Sequence, residues 1–215
     1  MGLKLYFHPL SSFSQKVLIA LYENGTPFEP HILNFQDEAS RQQFLELWRI
    51  GKFPVLKDEA RDWMVPETSI IIEYLDHHYP GPTRFIPVDA DLARQMRLRD
   101  RFFDLYINAP MQKIVGDRLR AEGQHDPFGV GDARRLLSTA LELVDQAMAS
   151  KEWAAGTVFS MADCAAAPAL WYANEVQPFA EKYPNAFAYL QRLMARPSFA
   201  RVLREAEPYL HLFPR

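Results

Sequence analysis

The sequence predicts a mixed α/β domain followed by an all-helical domain. Strand and helix signals alternate over the first 80 residues, whereas the rest of the chain carries helical patterning without a convincing strand signal. A stretch rich in proline at residues 80–87 separates the two patterns and is typical of a linker. We therefore expect an N-terminal domain at residues 1–80, a linker at 81–88 and a helical domain at 89–215.

The N-terminal domain is predicted to begin with a strand, a helix and a second strand. Residues 3–7 form a short apolar and aromatic run suited to a buried strand, and apolar residues then recur at helical spacing over residues 15–23. Asn24 and Gly25 end this helix, and a second strand is expected at residues 28–33. Because the helix connects the two strands as a crossover, we expect them to pair in parallel.

The second half of this domain adds a helix, a hairpin and another helix. We expect a helix at residues 40–48, strands at 54–57 and 63–65, and a helix at 67–79. The polar turn between the strands is too short for a crossover, so these strands must pair antiparallel. The resulting order, βαβ followed by ββα around a mixed four-stranded sheet, is that of a thioredoxin-like domain.

The C-terminal domain is predicted to contain helices only. Apolar residues recur every three or four positions in several of its segments. We expect helices at residues 90–121, 131–150, 185–195 and 199–207. Ser160 and Asp163 have the spacing of a capping box, which predicts that another helix begins between them.

The composition is that of an ordinary globular protein, with 48% hydrophobic and 24% charged residues. The formal net charge of −3 gives no basic excess that would indicate a nucleic acid or an anionic membrane as partner. The start of the chain lacks the apolar core of a signal peptide, and no apolar run approaches the roughly 18 residues of a membrane span, so we expect a cytoplasmic protein. With Cys164 as the single cysteine and no metal pattern at His77 and His78, we expect neither an internal disulfide nor a metal site.

The segment Lys52-Phe53-Pro54-Val55-Leu56 stands between a predicted helix and a predicted strand. Proline lacks an N–H and breaks a strand ladder, so Pro54 indicates a turn before Val55. A cis Phe53–Pro54 bond in this turn would direct the backbone N–H and C=O of Val55 outward, where they could pair with an extended peptide. An ordinary edge-strand proline would explain Pro54 equally well.

Two further segments accompany this one. Ser11-Ser12-Phe13-Ser14 stands at the first helix, and Glu67-Thr68-Ser69 opens an apolar helix. Together the three segments resemble the glutathione site of the soluble glutathione transferase family, and the resemblance extends over almost the whole chain, to Ser160 and Asp163. It implies a thioredoxin-like domain followed by a helical domain, glutathione as co-substrate, and a homodimer with the active site near the dimer cleft.

The resemblance also implies which residue contacts the glutathione sulfur. In the serine-type classes a hydroxyl just before the first helix stabilises the thiolate, and the nearest match is Ser11, with Ser12 as its competitor. The motif is most similar to that of the zeta class, from which Phe13 departs. Some classes use a tyrosine at the end of the first strand, but we expect Tyr6 to pack in the core. Without the family pattern, both serines would be interpreted as helix caps.

By the same resemblance, glutathione is expected to contact Lys52, Phe53, Pro54, Val55, Glu67 and Thr68. The main chain of Val55 would hold the cysteinyl part. Glu67 would receive the α-ammonium group, while the Thr68 hydroxyl and helix N–H groups would donate to the α-carboxylate. Lys52 would meet the glycyl carboxylate. Alternatively, Glu67 only complements the helix dipole and Lys52 is only solvated.

The second substrate is less visible in the sequence. The resemblance implies a pocket beside the first long helical region, where Tyr106 and Met111 are candidates, and Phe213 near the C-terminus is a third. Apolar residues at helical spacing could equally belong to the core. We expect a transferase that directs the thiolate at a small apolar electrophile. The alternatives are a glutathione-dependent isomerase or dehalogenase, and a non-enzymatic binding or regulatory protein of the same fold.

Overall fold

The computed structural model describes residues 2–34 and 37–214. Its N-terminal part consists of β1 (Leu3–Phe7), α1 (Ser12–Glu23), β2 (Phe28–Ile32), α2 (Glu38–Leu47), β3 (Val55–Asp58), β4 (Trp63–Pro66) and α3 (Thr68–His78). These elements follow one another in the predicted βαβ–ββα order. Over the described residues, the strands form one four-stranded sheet in the order β2-β1-β3-β4.

The pairing of the strands confirms the predicted mixed sheet. β1 and β2 are parallel, with Leu3 opposite Phe28. β3 is antiparallel to β1, with Leu56 opposite Leu5, and antiparallel to β4, with Leu56 opposite Val65. Leu5 and Leu56 are both fully buried, so this central register lies in the core of the domain.

The β3–β4 hairpin is closed by a buried carboxylate. The Asp58 side chain, at the end of β3, is 0% exposed. Its Oδ2 atom accepts hydrogen bonds from the hydroxyls of Tyr74 at 2.7 Å and Tyr79 at 2.6 Å, and Oδ1 accepts one from the backbone N–H of Ala60 at 2.9 Å. The carboxylate therefore ties the hairpin to the C-terminal end of α3.

The C-terminal part is helical over the described residues. It consists of α4 (Ala90–Phe102), a π-helical segment (Phe103–Asn108), α5 (Ala109–Arg118), α6 (Pro127–Met148), α7 (Met161–Val176), α8 (Pro184–Ala195), α9 (Pro197–Ala206) and a 3₁₀ segment (Glu207–Leu212). The helical pattern expected at residues 90–121 is observed over residues 90–118, where the π-helical segment lies between two α-helices. In the described part of the chain, every helix falls short of the length and apolar character needed to cross a membrane.

Three features join the N-terminal and helical parts. α1 is buried along most of its length, from Ser14 to Leu21, since α3, α7 and α9 pack against it. The Tyr172 hydroxyl of α7 donates a hydrogen bond to the Leu10 carbonyl at 2.7 Å. The predicted linker lies between α3 and α4, and its Phe85 is fully buried. The two parts thus share one apolar core.

α7 begins with the predicted capping box. The Asp163 carboxylate accepts hydrogen bonds from the backbone N–H of Ser160 at 2.9 Å and from the Ser160 hydroxyl at 2.7 Å. The same carboxylate accepts from the Tyr189 hydroxyl at 2.6 Å and from the Ala154 N–H at 2.8 Å. A local capping pattern is therefore also a tertiary contact to α8.

Candidate functional site

A cavity of about 390 Å³ lies where the start of α1, the loop before β3 and the start of α3 face α4, the π-helical segment and α5. Among its lining residues are Ser11, Lys52, Phe53, Pro54, Glu67 and Thr68. These six were selected as site residues from three distant segments of the sequence. The fold brings them to one cavity because β3 is central in the sheet and α1 and α3 both begin beside it.

Ser11 is the N-cap of α1. Its backbone is extended, with φ −76° and ψ 119°, and its Oγ atom accepts a hydrogen bond from the N–H of Ser14 at 3.2 Å. Accepting this bond uses a lone pair and leaves the hydroxyl hydrogen available as a donor. Ser12, by contrast, is 5% exposed and does not line the cavity. Capping and donation to a ligand are therefore compatible at Ser11.

The loop before β3 contains a cis peptide bond between Phe53 and Pro54, one of the two alternatives that the sequence left open. β3 begins at the next residue, Val55, which lies opposite Tyr6 of β1 and Pro66 of β4. The Val55 side chain is fully buried and is not part of the cavity wall. Only its main chain, directly after the wall residue Pro54, is in a position to meet a ligand.

Tyr6 belongs to a small apolar cluster rather than to the cavity. Its ring stacks on that of His31 with centroids 4.7 Å apart, and it packs against the cluster of Leu33, Phe44 and Val55. It is absent from the cavity lining. Of the three residues considered for the sulfur contact, Ser11 lines the cavity, whereas Ser12 and Tyr6 do not.

The start of α3 combines a strained residue with an open helix terminus. Glu67, the N-cap, has φ +68°, a left-handed conformation that is uncommon for a residue with a side chain. Such strain is often concentrated at functional sites. The Glu67 side chain does not cap this terminus, so its N–H groups and the positive end of the helix dipole are available to an anion beside the cavity.

Beneath the cavity lies a buried ion cluster, which we define as Lys16, Ser69, Asp100 and Asp104. The Lys16 ammonium is 2.6 Å from Asp100 Oδ1 and 2.9 Å from Asp104 Oδ2, and these three side chains are 1%, 1% and 6% exposed. Lys16 also donates to Ser69 Oγ at 3.0 Å, and the Ser69 hydroxyl donates to Asp100 at 2.6 Å. The ion cluster therefore joins α1 and α3 to α4 and the π-helical segment.

Asp104 belongs to both the ion cluster and the cavity wall. Burial raises the pKa of its carboxyl, and the neighbouring Lys16 ammonium opposes that shift without cancelling it. Sequence reasoning missed this cluster. The available signals were a lysine directly before the apolar run at residues 17–21 and two aspartates four positions apart on a helix.

The three residues expected in the second-substrate pocket do not line this cavity. The Tyr106 ring packs edge-on against Phe102 with centroids 5.4 Å apart. Met111 is 3% exposed and belongs to the core, and the Phe213 ring lies 5.3 Å from that of Tyr172. The helical side of the cavity is formed instead by Arg101, Asp104, Leu105, Ala109 and Gln112.

The difference is a matter of helix register. Leu105 and Gln112 are the immediate neighbours of Tyr106 and Met111, and adjacent helical residues point in different directions.

Within the described residues, no group of three or more His, Cys, Asp or Glu side chains is arranged to hold a metal ion. Cys164 is fully buried, and burial raises the pKa of its thiol well above the usual range.

Comparison with known protein families identifies both parts of the chain. Residues 5–83 match the N-terminal domain of glutathione S-transferase, and residues 130–197 match the C-terminal domain of the same family. Together the two matches cover more than half of the chain. The chain belongs to the glutathione S-transferase family. This confirms the family resemblance of the three sequence segments, at the level of the family and not of a class within it.

Relatives match the glutathione S-transferase chain along nearly its full length. A stringent starvation protein A homolog of Coxiella burnetii is 27% identical over 96% of this chain and 93% of the relative. A glutathione S-transferase of Pseudomonas putida is 26% identical over 98% of this chain and 96% of the relative. The crystal structure of a glutathione S-transferase from Methylobacterium radiotolerans, in complex with glutathione sulfonate, superposes with a TM-score of 0.80 at 28% identity, covering 94% of each chain.

Proposed function

We propose that this protein is a glutathione transferase that stabilises the glutathione thiolate for nucleophilic attack on a small electrophile. The observation that carries the proposal is the single cavity lined by Ser11, by the cis residue Pro54 and by Glu67 and Thr68 at the open start of α3. A relative named as a glutathione S-transferase and a structural neighbour in complex with glutathione sulfonate support it.

Glutathione is proposed to bind through complementary charges and main-chain hydrogen bonds. The Glu67 carboxylate would receive the α-ammonium group, and the Thr68 hydroxyl with the N–H groups of α3 would donate to the α-carboxylate. The main chain of Val55 would pair with the cysteinyl residue as an added strand does. Lys52, a cation on the cavity wall, would bind the glycyl carboxylate.

Ser11 is proposed as the catalytic residue, which would make the protein a serine-type transferase. Its hydroxyl hydrogen can be donated to the sulfur, and the start of α1 adds the positive end of a helix dipole. Lowering the pKa of a thiol by two units requires about 2.7 kcal/mol of preferential stabilisation of the thiolate. One hydrogen bond to a charged acceptor plus a helix terminus is sufficient for this.

We further propose a cytoplasmic homodimer. A single buried cysteine suits a reducing compartment. Three large apolar side chains near or on α3 and α4 are strongly exposed, namely Trp63 at 61%, Ile70 at 54% and Leu98 at 65%. Light scattering coupled to gel filtration would measure the mass in solution. A monomer at micromolar concentration would contradict the proposed assembly.

The first test is a calorimetric titration with glutathione. We expect binding to the wild type, loss of binding in Glu67→Ala, and unchanged binding in Glu122→Ala, a control that removes an exposed carboxylate distant in sequence from the cavity-lining segments. An absence of wild-type binding at millimolar glutathione would refute the proposal.

Reaction type is tested by product analysis. Conjugation consumes one glutathione per turnover, whereas isomerisation of the kind known from the zeta class consumes none, and dehalogenation releases halide.

A non-enzymatic role is a second candidate, because a relative that matches nearly the whole chain is named as a stringent starvation protein A homolog. That candidate predicts that glutathione fails to bind, or binds without any turnover in an electrophile screen.

A further inference from the structure

The cavity wall carries one cation that the proposed glutathione contacts leave without a function. Its two cationic residues are Lys52 and Arg101. Lys52 is assigned to the glycyl carboxylate, and the α-carboxylate is assigned to Thr68 and the start of α3. With both carboxylates of glutathione assigned, Arg101 remains on the side of the cavity formed by the helical domain.

Arg101 stands at one end of an apolar strip. Arg101 of α4, Leu105 of the π-helical segment, and Ala109 and Gln112 of α5 follow one another along the cavity wall. Phe13 of α1 adds an aromatic side chain to the same cavity. A ligand lying on Leu105 and Phe13 would therefore meet apolar surface along its body and a guanidinium at one end.

The guanidinium is available to a ligand. Among residues 2–34 and 37–214, its one hydrogen-bonding partner is Asp104, with Arg101 Nη1 at 3.4 Å from Oδ2, a long distance for a charged pair. The same oxygen accepts from the Lys16 ammonium at the shorter distance of 2.9 Å. The Arg101 side chain is 53% exposed, so its guanidinium is accessible to a ligand in the cavity.

We infer that the second substrate is a small electrophile with an apolar or aromatic body and a carboxylate, which Arg101 binds as a bidentate ion pair. A guanidinium matches the planar geometry of a carboxylate in this way. The inference rests on the proposed transferase function and refines its electrophile. With an activated aryl chloride, the glutathione thiolate attacks the chlorine-bearing carbon, a carbon–sulfur bond forms, and chloride leaves with the electron pair of the broken carbon–chlorine bond.

The test uses two electrophiles that differ in charge but not in shape, 4-chloro-3-nitrobenzoate and 4-chloro-3-nitrobenzamide. Rates are normalised to the uncatalysed reaction of each with glutathione, because the two rings differ in reactivity. Arg101→Gln is expected to lower kcat/KM for the benzoate by about 10-fold or more, the loss expected for a hydrogen-bonded ion pair, and to leave the benzamide within about 2-fold. Arg101→Lys keeps the charge without the bidentate fork and is expected to lie between.

Arg94→Gln is the matched control, since Arg94 is a strongly exposed arginine on the same helix and does not line the cavity. It is expected to change neither electrophile. Equal losses for both electrophiles in Arg101→Gln would overturn the inference, as would a loss of glutathione affinity measured by calorimetry, which would assign Arg101 to glutathione itself.

Failure of the transferase proposal is detected separately by the glutathione titration. If glutathione binds but neither electrophile reacts, the affinities of the two glutathione conjugates, carboxylate and carboxamide, are measured by calorimetry. They show whether Arg101 binds the carboxylate. A preference of the wild type for the carboxylate conjugate that disappears in Arg101→Gln would support the inference, and equal affinities would overturn it.

Discussion

Replacing Lys16 by methionine should strongly destabilise the protein, because it removes the cation of the ion cluster and leaves two buried carboxylates. Asp100 and Asp104 are 1% and 6% exposed, and both lie within 3 Å of the Lys16 ammonium, at 2.6 and 2.9 Å. Breaking a buried ion pair by removing one partner typically costs about 3–5 kcal/mol. That is a large share of the roughly 5–15 kcal/mol that stabilises a folded domain.

The cost should also depend on pH. Burial already raises the pKa of Asp104, and loss of the ammonium would raise it further. A carboxyl whose pKa is higher in the folded than in the unfolded state contributes stability that is present at low pH and is lost as the pH rises through the folded pKa. Lys16→Met should therefore lose more free energy of unfolding at pH 8 than at pH 5.

Urea unfolding followed by tryptophan fluorescence at the two pH values measures both effects. In the triple variant Lys16→Met, Asp100→Asn, Asp104→Asn the uncompensated charges are gone, and much of the stability should return. Arg94→Gln breaks an exposed ion pair with Asp91 and should cost less than about 1 kcal/mol. A loss for Lys16→Met as small as that for Arg94→Gln, or one independent of pH, would refute the reasoning.

Three further predictions concern Asp58, Ser11 and Tyr6. Burial alone would raise the pKa of the Asp58 carboxyl, but the hydroxyls of Tyr79 and Tyr74 bring it down from 3.8 to about 2. The lowered pKa contributes about 2 kcal/mol to the free energy of unfolding at pH values above the unfolded pKa, and this contribution is lost as the pH falls toward 2. Asp58→Asn should accordingly lose about 2 kcal/mol at pH 7 and little near pH 2 in denaturant titrations; an equal loss at both would contradict the assignment. Ser11→Ala should bind glutathione but raise the pKa of the bound thiol by up to about two units, measured by thiolate absorbance, and an unchanged pKa would remove Ser11 from the mechanism. Tyr6→Phe should leave that pKa unchanged; an increase would transfer the role to Tyr6.

The features that the sequence predicts well depend on local rules. β1 has the predicted bounds, Leu3–Phe7, because a five-residue apolar and aromatic run favours a buried strand. The capping box at Ser160 is likewise encoded within a few residues. The mixed sheet then follows from connection lengths, since only a crossover permits parallel pairing.

The features that the sequence does not reveal depend on contacts between residues far apart in the chain, or on which helical positions face the cavity. The ion cluster gathers residues 16, 69, 100 and 104, and no local pattern specifies that these four meet. The apolar periodicity over residues 90–121 indicates helical structure but does not show the π-helical segment within it. Tyr106 and Met111 were each chosen one position away from a residue that lines the cavity, and on a helix one position is enough to turn a side chain away from the cavity.

The same register links the ion cluster to the cavity wall. Asp100 and Asp104 turn toward Lys16, and their direct neighbours Arg101 and Leu105 line the cavity. Ser69, the other member of the ion cluster, directly follows the cavity residue Thr68. The contacts of Lys16 thus fix the orientation of both the helical wall and the start of α3.

Lys16→Met should therefore affect function as well as stability under conditions where it remains folded. Displacement of the helical wall or of the start of α3 would misplace the electrophile relative to the glutathione sulfur. We therefore expect kcat/KM for the electrophile and the affinity for glutathione both to fall, by about 10-fold or more. Lys16→Arg retains a cation between Asp100 and Asp104 and should retain most of both. Steady-state kinetics and calorimetry below the onset of unfolding measure the two quantities. A folded Lys16→Met protein with wild-type kinetics would show that the ion cluster only joins the two domains and does not position the site.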